Sequence, residues 1–147
     1  METTLILLKP DCVTKGYVGE VLSRFEKEGF LLRGCKMLSL SKELLDQHYS
    51  HIADKPFFPD VVGFMQSSPV IAVALAGENA IEKVRDLLGP TDSRKAEVGT
   101  IRGDLGVDMM INVVHASDSA ESAADELKRF FQSAELFQYD RVELEAV

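Results

Sequence analysis

The run Pro69-Val70-Ile71-Ala72-Val73-Ala74-Leu75-Ala76, closed by Gly77, constrains the fold more than any other stretch of this chain. It is too short to cross a bilayer and has no polar face, so it reads as a strand covered on both sides. Leu5-Ile6-Leu7-Leu8 is a second run of the same kind, ended by Lys9-Pro10-Asp11, where Pro10 cannot donate to a ladder. A buried strand therefore delivers a lysine to its end. Two such strands belong at the centre of a sheet, with helices against one face and another surface, such as a partner subunit, against the other.

The intervening segments are amphipathic. Val18, Val21, Leu22 and Phe25 recur at helical spacing before Gly29, Phe30 to Leu40 reads as a long strand, and Ser41-Lys42-Glu43-Leu44 opens a helix running past Tyr49. After the break at Pro56 and Pro59 a short helix covers about Pro59 to Gln66. Glu78 to Leu88 is helical, with Ile81, Val84 and Leu88 on one side, and Gly89-Pro90 stops it. From Pro90 to about Met110 no period is sustained, and so long a loop in a compact domain is more often functional than decorative. Ile111-Asn112-Val113-Val114 is the last strand and ends on His115. Asp118 is a good N-cap and Glu121 completes a capping-box pattern, which predicts a helix from about Ser119 to Phe131, followed by a weakly patterned tail over 132–147.

This order contains a β-α-β-β-α-β core with additional helices, the pattern of a ferredoxin-like α+β sandwich on a four-stranded antiparallel sheet. With 147 residues, 46% of them apolar, one domain over 1–147 is the simplest count. Two cysteines and no charged-then-apolar leader suggest a reduced, cytoplasmic protein with no membrane segment. The net charge of −8 argues against affinity for nucleic-acid backbones, so any positive site must be local. There is no Walker-type loop, no G-x-G-x-x-G after a strand and no zinc-type spacing. Bound phosphates would have to be held by side chains such as Lys9, Arg85 and Arg102, with a histidine as relay.

His115 is the candidate relay. It lies just ahead of a helix N-terminus, whose unpaired N–H groups and positive dipole end favour a neutral imidazole and welcome an anion. Glu126 falls at the edge of the stripe formed by Ala123, Leu127, Phe130 and Phe131. A carboxylate there needs a partner, which the N–H of His115 could supply; the plain alternative is a half-exposed boundary glutamate. Lys9 as an ordinary strand-end lysine, Arg85 as a stem over apolar surface, Tyr49 as a boundary residue and Phe57-Phe58 as core filling are equally plain alternatives. His48 and His51 read as solvated helix residues, and Cys12 and Cys35 as structural.

Lys9-Pro10-Asp11, Tyr49, Lys55-Pro56-Phe57-Phe58-Pro59, Gly77-Glu78-Asn79-Ala80, Gly99-Thr100-Ile101-Arg102-Gly103-Asp104 and Asn112-Val113-Val114-His115-Ala116-Ser117-Asp118-Ser119 together closely resemble nucleoside diphosphate kinase, in register from about residue 3 to residue 131. The resemblance implies a ping-pong transfer of the terminal phosphate of a nucleoside triphosphate to a nucleoside diphosphate through a phosphohistidine on His115. It further implies that Glu126 orients the imidazole, that Tyr49 lies beside it, and that Lys9 and Asn112 bind the ribose hydroxyls. Arg85, Thr91 and Arg102 would bind the phosphates, and Phe57 would stack on the base, a contact that reads every base alike. Mg²⁺ would be carried by the nucleotide phosphates and water rather than by a carboxylate cage, and the enzyme would be a homo-oligomer.

Three points set this chain apart. Ala116 stands where the family usually has glycine, which would strain a position needing positive φ. Met109 and Val61 replace other aliphatic residues of the base pocket. Strict alternation along the last strand would put Asn112 and His115 on opposite faces, so a shared site requires a bend. Two other readings stay open at this level: a ligand-sensing ferredoxin-like module in which His115 is incidental, and a nucleic-acid binder, which the acidic balance disfavours.

Overall fold

The computed structural model describes residues 1–142. Strand β1 (Glu2–Leu8) is followed by a short helix α1 (Pro10–Thr14), helix α2 (Val18–Lys27), strand β2 (Leu31–Leu38), helices α3 (Lys42–His48) and α4 (Phe58–Met65), strand β3 (Val70–Gly77), helices α5 (Ala80–Leu88) and α6 (Ile101–Leu105), strand β4 (Val114–Ala116) and helix α7 (Ala120–Phe130). The sheet order is β2-β3-β1-β4 and every pairing is antiparallel, so the fold is the expected ferredoxin-like α+β sandwich. The two most apolar strands occupy its centre, where each finds ladder partners on both sides.

Alternation along β1 and β3 supplies two cores. Ile6, Leu8, Ile71, Val73 and Leu75 pack with Val21 and Phe25 of α2 and Val84 and Leu88 of α5. Leu5, Leu7, Val70, Ala72 and Ala74 face the other way, onto Leu45 of α3, Met65 of α4 and Phe130 of α7. The second face is thus covered by the chain's own helices rather than by a partner subunit. The aliphatic cores bury their side chains at about 1.5–3 kcal/mol each, which anchors the central strands.

Local chemistry corrects several boundaries. Pro10 starts α1 instead of only ending β1, because a proline lacks only a donor that a first turn leaves unpaired anyway. The stretch from Pro90 to Met110 contains a helix: the Thr100 side chain caps α6 by accepting from the Gly103 N–H at 3.0 Å. Gly103 is required there, since a Cβ would collide with the Glu97 carbonyl. The N-cap of α7 is Ser119, whose hydroxyl accepts from Ser122 at 3.1 Å, and not Asp118. The tail crosses β2, with Phe137 N–H donating to Arg33 O at 2.8 Å and the Tyr139 hydroxyl to Leu32 O at 2.6 Å; residues 143–147 of the predicted tail lie outside the described residues. Among the described residues no helix is long and apolar enough to cross a membrane.

Candidate active site

The site is built where β1 ends beside β4. Leu7 pairs with His115, so both side chains point to the same face of the sheet, the one covered by α3, α4 and α7. Lys9, two residues beyond Leu7, follows the same direction and reaches under the chain at 110–112. Its ammonium donates to Met110 O at 2.6 Å and to Asn112 Oδ1 at 2.7 Å. Burial pushes its pKa down to about 8, with Asp11 opposing and Arg102 reinforcing the shift.

The bend that alternation demands lies at Val113, whose φ is 75°. A buried β-branched residue in the left-handed region is costly, by order 1–3 kcal/mol, and the surroundings enforce it. Asp11 accepts from the Val113 N–H at 3.0 Å, while the Lys9 N–H donates to the Val113 carbonyl at 2.9 Å. This reversal brings Asn112 and His115 into one cleft and shortens β4 to Val114–Ala116. Ala116, by contrast, lies in regular strand paired with Ile6 and has no positive φ, so the missing glycine causes no backbone strain.

Arg102, at the start of α6, is buried and donates from Nε to Asn112 O at 3.2 Å, from one terminal nitrogen to Gly89 O at 3.0 Å and from the other to Val114 O at 2.6 Å. Burial, then the nearby Arg85 charge, lowers its pKa to about 10, so it remains a cation. The Asn112 amide donates to Thr91 O at 2.9 Å and Met109 O at 3.0 Å. Glu126 sits on the buried face of α7 with Ala123 and Phe130, and its Oε1 accepts from Nε2 of His115. With Nε2 engaged by the carboxylate, Nδ1 has no partner among the described residues. Tyr49 stays protonated, because burial and the Glu126 charge push its pKa up to about 12.

These side chains line one cleft of about 970 Å³. Its walls include every residue singled out from the sequence: Lys9, Tyr49, Phe57, Arg85, Thr91, Arg102, Asn112, His115 and Glu126. Phe57 is 51% exposed at the mouth, whereas Phe58 fills the core at 4%, which separates two residues the sequence left together. Arg85 and Thr91 stand exposed on the rim, and Met109 and Val61 also line the cleft.

One expectation fails outright. His48 is not solvated: its side chain is 2% exposed, and its ring stands edge-on to His115 with centroids 4.5 Å apart. His51 is exposed, as expected. The available signal for His48 was its i, i+3 spacing from Leu45, which puts both on the buried side of α3. Cys12 is buried, its thiol pushed up to about 12 chiefly by burial and then by Asp11, and Cys35 is exposed on β2. The donors of His48, His115 and Glu126 lie within 4.8 Å of one another, but two imidazoles and a carboxylate already bonded to one of them do not suit a hard cation that demands oxygens.

An imidazole oriented by a carboxylate, in a cleft with buried cations, can attack an electrophilic phosphorus while those cations shield the charge that leaves. Such equipment defines a phosphotransferase. Comparison with known proteins gives the family. Residues 2–136 match the family described as nucleoside diphosphate kinase. The chain is 48% identical over 141 residues to a nucleoside diphosphate kinase of Dehalococcoides mccartyi, covering 96% of this chain and 99% of that protein. It is 48% identical over 145 residues to one from Pyrococcus abyssi, covering 97% and 91%. Among solved structures, a halophilic nucleoside diphosphate kinase from Halobacterium salinarum in complex with CDP superposes with a TM-score of 0.92 at 39% identity, covering 95% of this chain and 93% of that one. The Aquifex aeolicus enzyme gives 0.87 at 43%, covering 92% and 98%. The chain belongs to the nucleoside diphosphate kinase family. It is a phosphotransferase that acts on nucleotides, and the ligand-sensing alternative falls away.

Proposed function

We propose that His115 carries the phosphoryl group between nucleotides. Nδ1 attacks the terminal phosphorus of a nucleoside triphosphate, a P–N bond forms as the P–O bond to the departing diphosphate breaks, and a second nucleoside diphosphate takes the group back in the reverse sense. The observation that carries this reading is the Glu126 bond to Nε2, which leaves the other nitrogen free on the wall of the cleft that holds Lys9 and Arg102. Glu126 steadies the positive charge that the ring gains on phosphorylation. Lys9 and Asn112 are suited to the ribose and its neighbouring oxygens, Arg85, Thr91 and Arg102 to the phosphates, and Phe57 to the base. Tyr49, kept protonated, offers a donor beside the ring.

The family works on nucleotides with a divalent metal. Here we infer Mg²⁺, brought in on phosphate oxygens and water, where it neutralises phosphate charge; calorimetry should then find tight Mg²⁺ binding only with nucleotide present. A cytoplasmic setting and assembly with further copies of the chain belong to the same reading, and sedimentation measures the latter.

Incubation with γ-labelled ATP and Mg²⁺ tests the central claim. An acid-labile, alkali-stable phosphoprotein that passes its label to a nucleoside diphosphate is expected from the wild type and not from His115→Ala. Exchange at wild-type rate in that variant would overturn the reading.

A further inference from the structure

Behind the nucleophile, on the inner wall of the cleft, the buried His48 is paired with the half-buried Arg129. His48, in the last turn of α3, packs its ring against His115 at 78° and against Phe130 at 81°, with centroids 4.5 and 5.3 Å apart. Its Nδ1 accepts from a terminal nitrogen of Arg129 at 3.1 Å. Because an arginine can only donate, the His48 proton sits on Nε2, which is buried with no partner among the described residues. A phenylalanine would fill a similar space without stranding a donor, so packing alone does not account for a histidine here.

The neighbours of Nδ1 do account for it. Glu126 Oε1 lies 3.8 Å from His48 Nδ1, and the same oxygen accepts from His115. Arg129 and Glu126 are three residues apart on α7, a spacing at which a guanidinium and a carboxylate meet. A carboxylate is a stronger acceptor for a guanidinium than a neutral ring nitrogen, because charge–charge attraction and bidentate geometry add to the hydrogen bond. Without an intervening acceptor, Arg129 would be drawn to Glu126 and would compete with His115 for its oxygen. We propose that His48 is a positioning residue: it occupies the Arg129 guanidinium and holds it off Glu126, reserving that carboxylate for His115. The ring is suited to the task because burial, with His115, Arg129 and His51 adding to it, pushes its pKa down to about 2, so it stays a neutral acceptor at any working pH.

The catalytic consequence rests on the reading of His115 as nucleophile, but the structural one does not. Nitrogen-15 NMR of His115 reads the tautomer directly, and exchange kinetics read its use. In His48→Phe the Nε2–H tautomer of His115 should lose its dominance, and kcat should fall by about a hundredfold, the usual penalty for a misaimed group, with KM for nucleotide within about twofold. His48→Asn, which keeps an acceptor near the position of Nδ1, should restore both. The double variant His48→Phe/Arg129→Leu should also regain at least about tenfold in kcat over His48→Phe and recover the tautomer, since no guanidinium remains to be diverted. A merely structural His48 would give no such rescue on removing a second side chain. A wild-type tautomer in His48→Phe, or a double variant no better than the single one, would overturn the proposal. Should His115→Ala prove active, the kinetic arm would fall with the nucleophile reading while the tautomer arm still decides what His48 does.

Discussion

The two edges of the sheet solve the same problem in different ways. On the β2 edge, eight residues run beside β3, interrupted only by an irregularity between Leu32 and Gly34, and the tail covers the strand with hydrogen bonds to Leu32 and Arg33. On the β4 edge only three residues pair with β1. The backbone leading into it is satisfied by charged side chains: Asp11 takes the Val113 N–H, Arg102 the carbonyls of Asn112 and Val114, and Lys9 that of Met110. Replacing ladder bonds by side-chain bonds frees the chain to turn, and the turn is what gathers the site. An edge held by a ladder is robust but can only present alternate residues to one face.

If that contrast is right, changes at the β4 edge should damage activity and stability together, and changes at the β2 edge stability alone. The largest effect is expected for Arg102→Ala, which strands three carbonyls. Urea unfolding should show a loss of about 3 kcal/mol or more, and exchange should fall by several orders of magnitude. Asp11→Ala leaves the Val113 N–H without its acceptor and should cost about 1–3 kcal/mol, with kcat down by about a hundredfold as His115 loses its aim. Asp11→Asn, which keeps an acceptor, should be milder on both counts.

Lys9 gives a test by pH alone. Its ammonium loses its proton from about 8 in the folded enzyme, so KM for nucleotide should climb above that pH by at most about tenfold per unit, and Lys9→Arg should flatten the limb. Stability should move the other way. The unfolded chain keeps the proton to the ordinary 10.5, so between about 8 and 10.5 it binds more protons than the native state, and rising pH relieves the cost of burying the charge. The smallest effect is expected at the β2 edge: Tyr139→Phe removes one hydrogen bond and should cost about 1 kcal/mol or less in thermal unfolding with unchanged exchange. A large loss of activity there would erase the distinction between the edges.

How far the sequence could be read follows the same division. β1 and β3 were legible because continuous apolar runs of strand length leave little choice, and α2 and α5 because their stripes repeat over several turns. Glu126 was legible because helical spacing set it against Phe130. What escaped depends on partners distant in sequence. Alternation called for a bend near His115, but its place at Val113, whose positive φ is permitted by Asp11, 102 residues away, is announced by no local pattern. Burial of His48 depends on Arg129 and Phe130 arriving from α7. Helix α6 was missed because it is only five residues long, too few to show a period, although Thr100 carried an N-cap signal.

If Arg102 holds the phosphates as proposed, its three tethers bear on how quickly a nucleotide can be received and released. A guanidinium roaming on a flexible stem would have to be frozen at each encounter, a loss of up to about 2 kcal/mol in side-chain freedom. Fixed beforehand, it presents its remaining donors to an incoming anion at no further ordering penalty. Each arrival and departure therefore finds the positive wall already standing, which favours an enzyme that must exchange one nucleotide for another twice in every cycle.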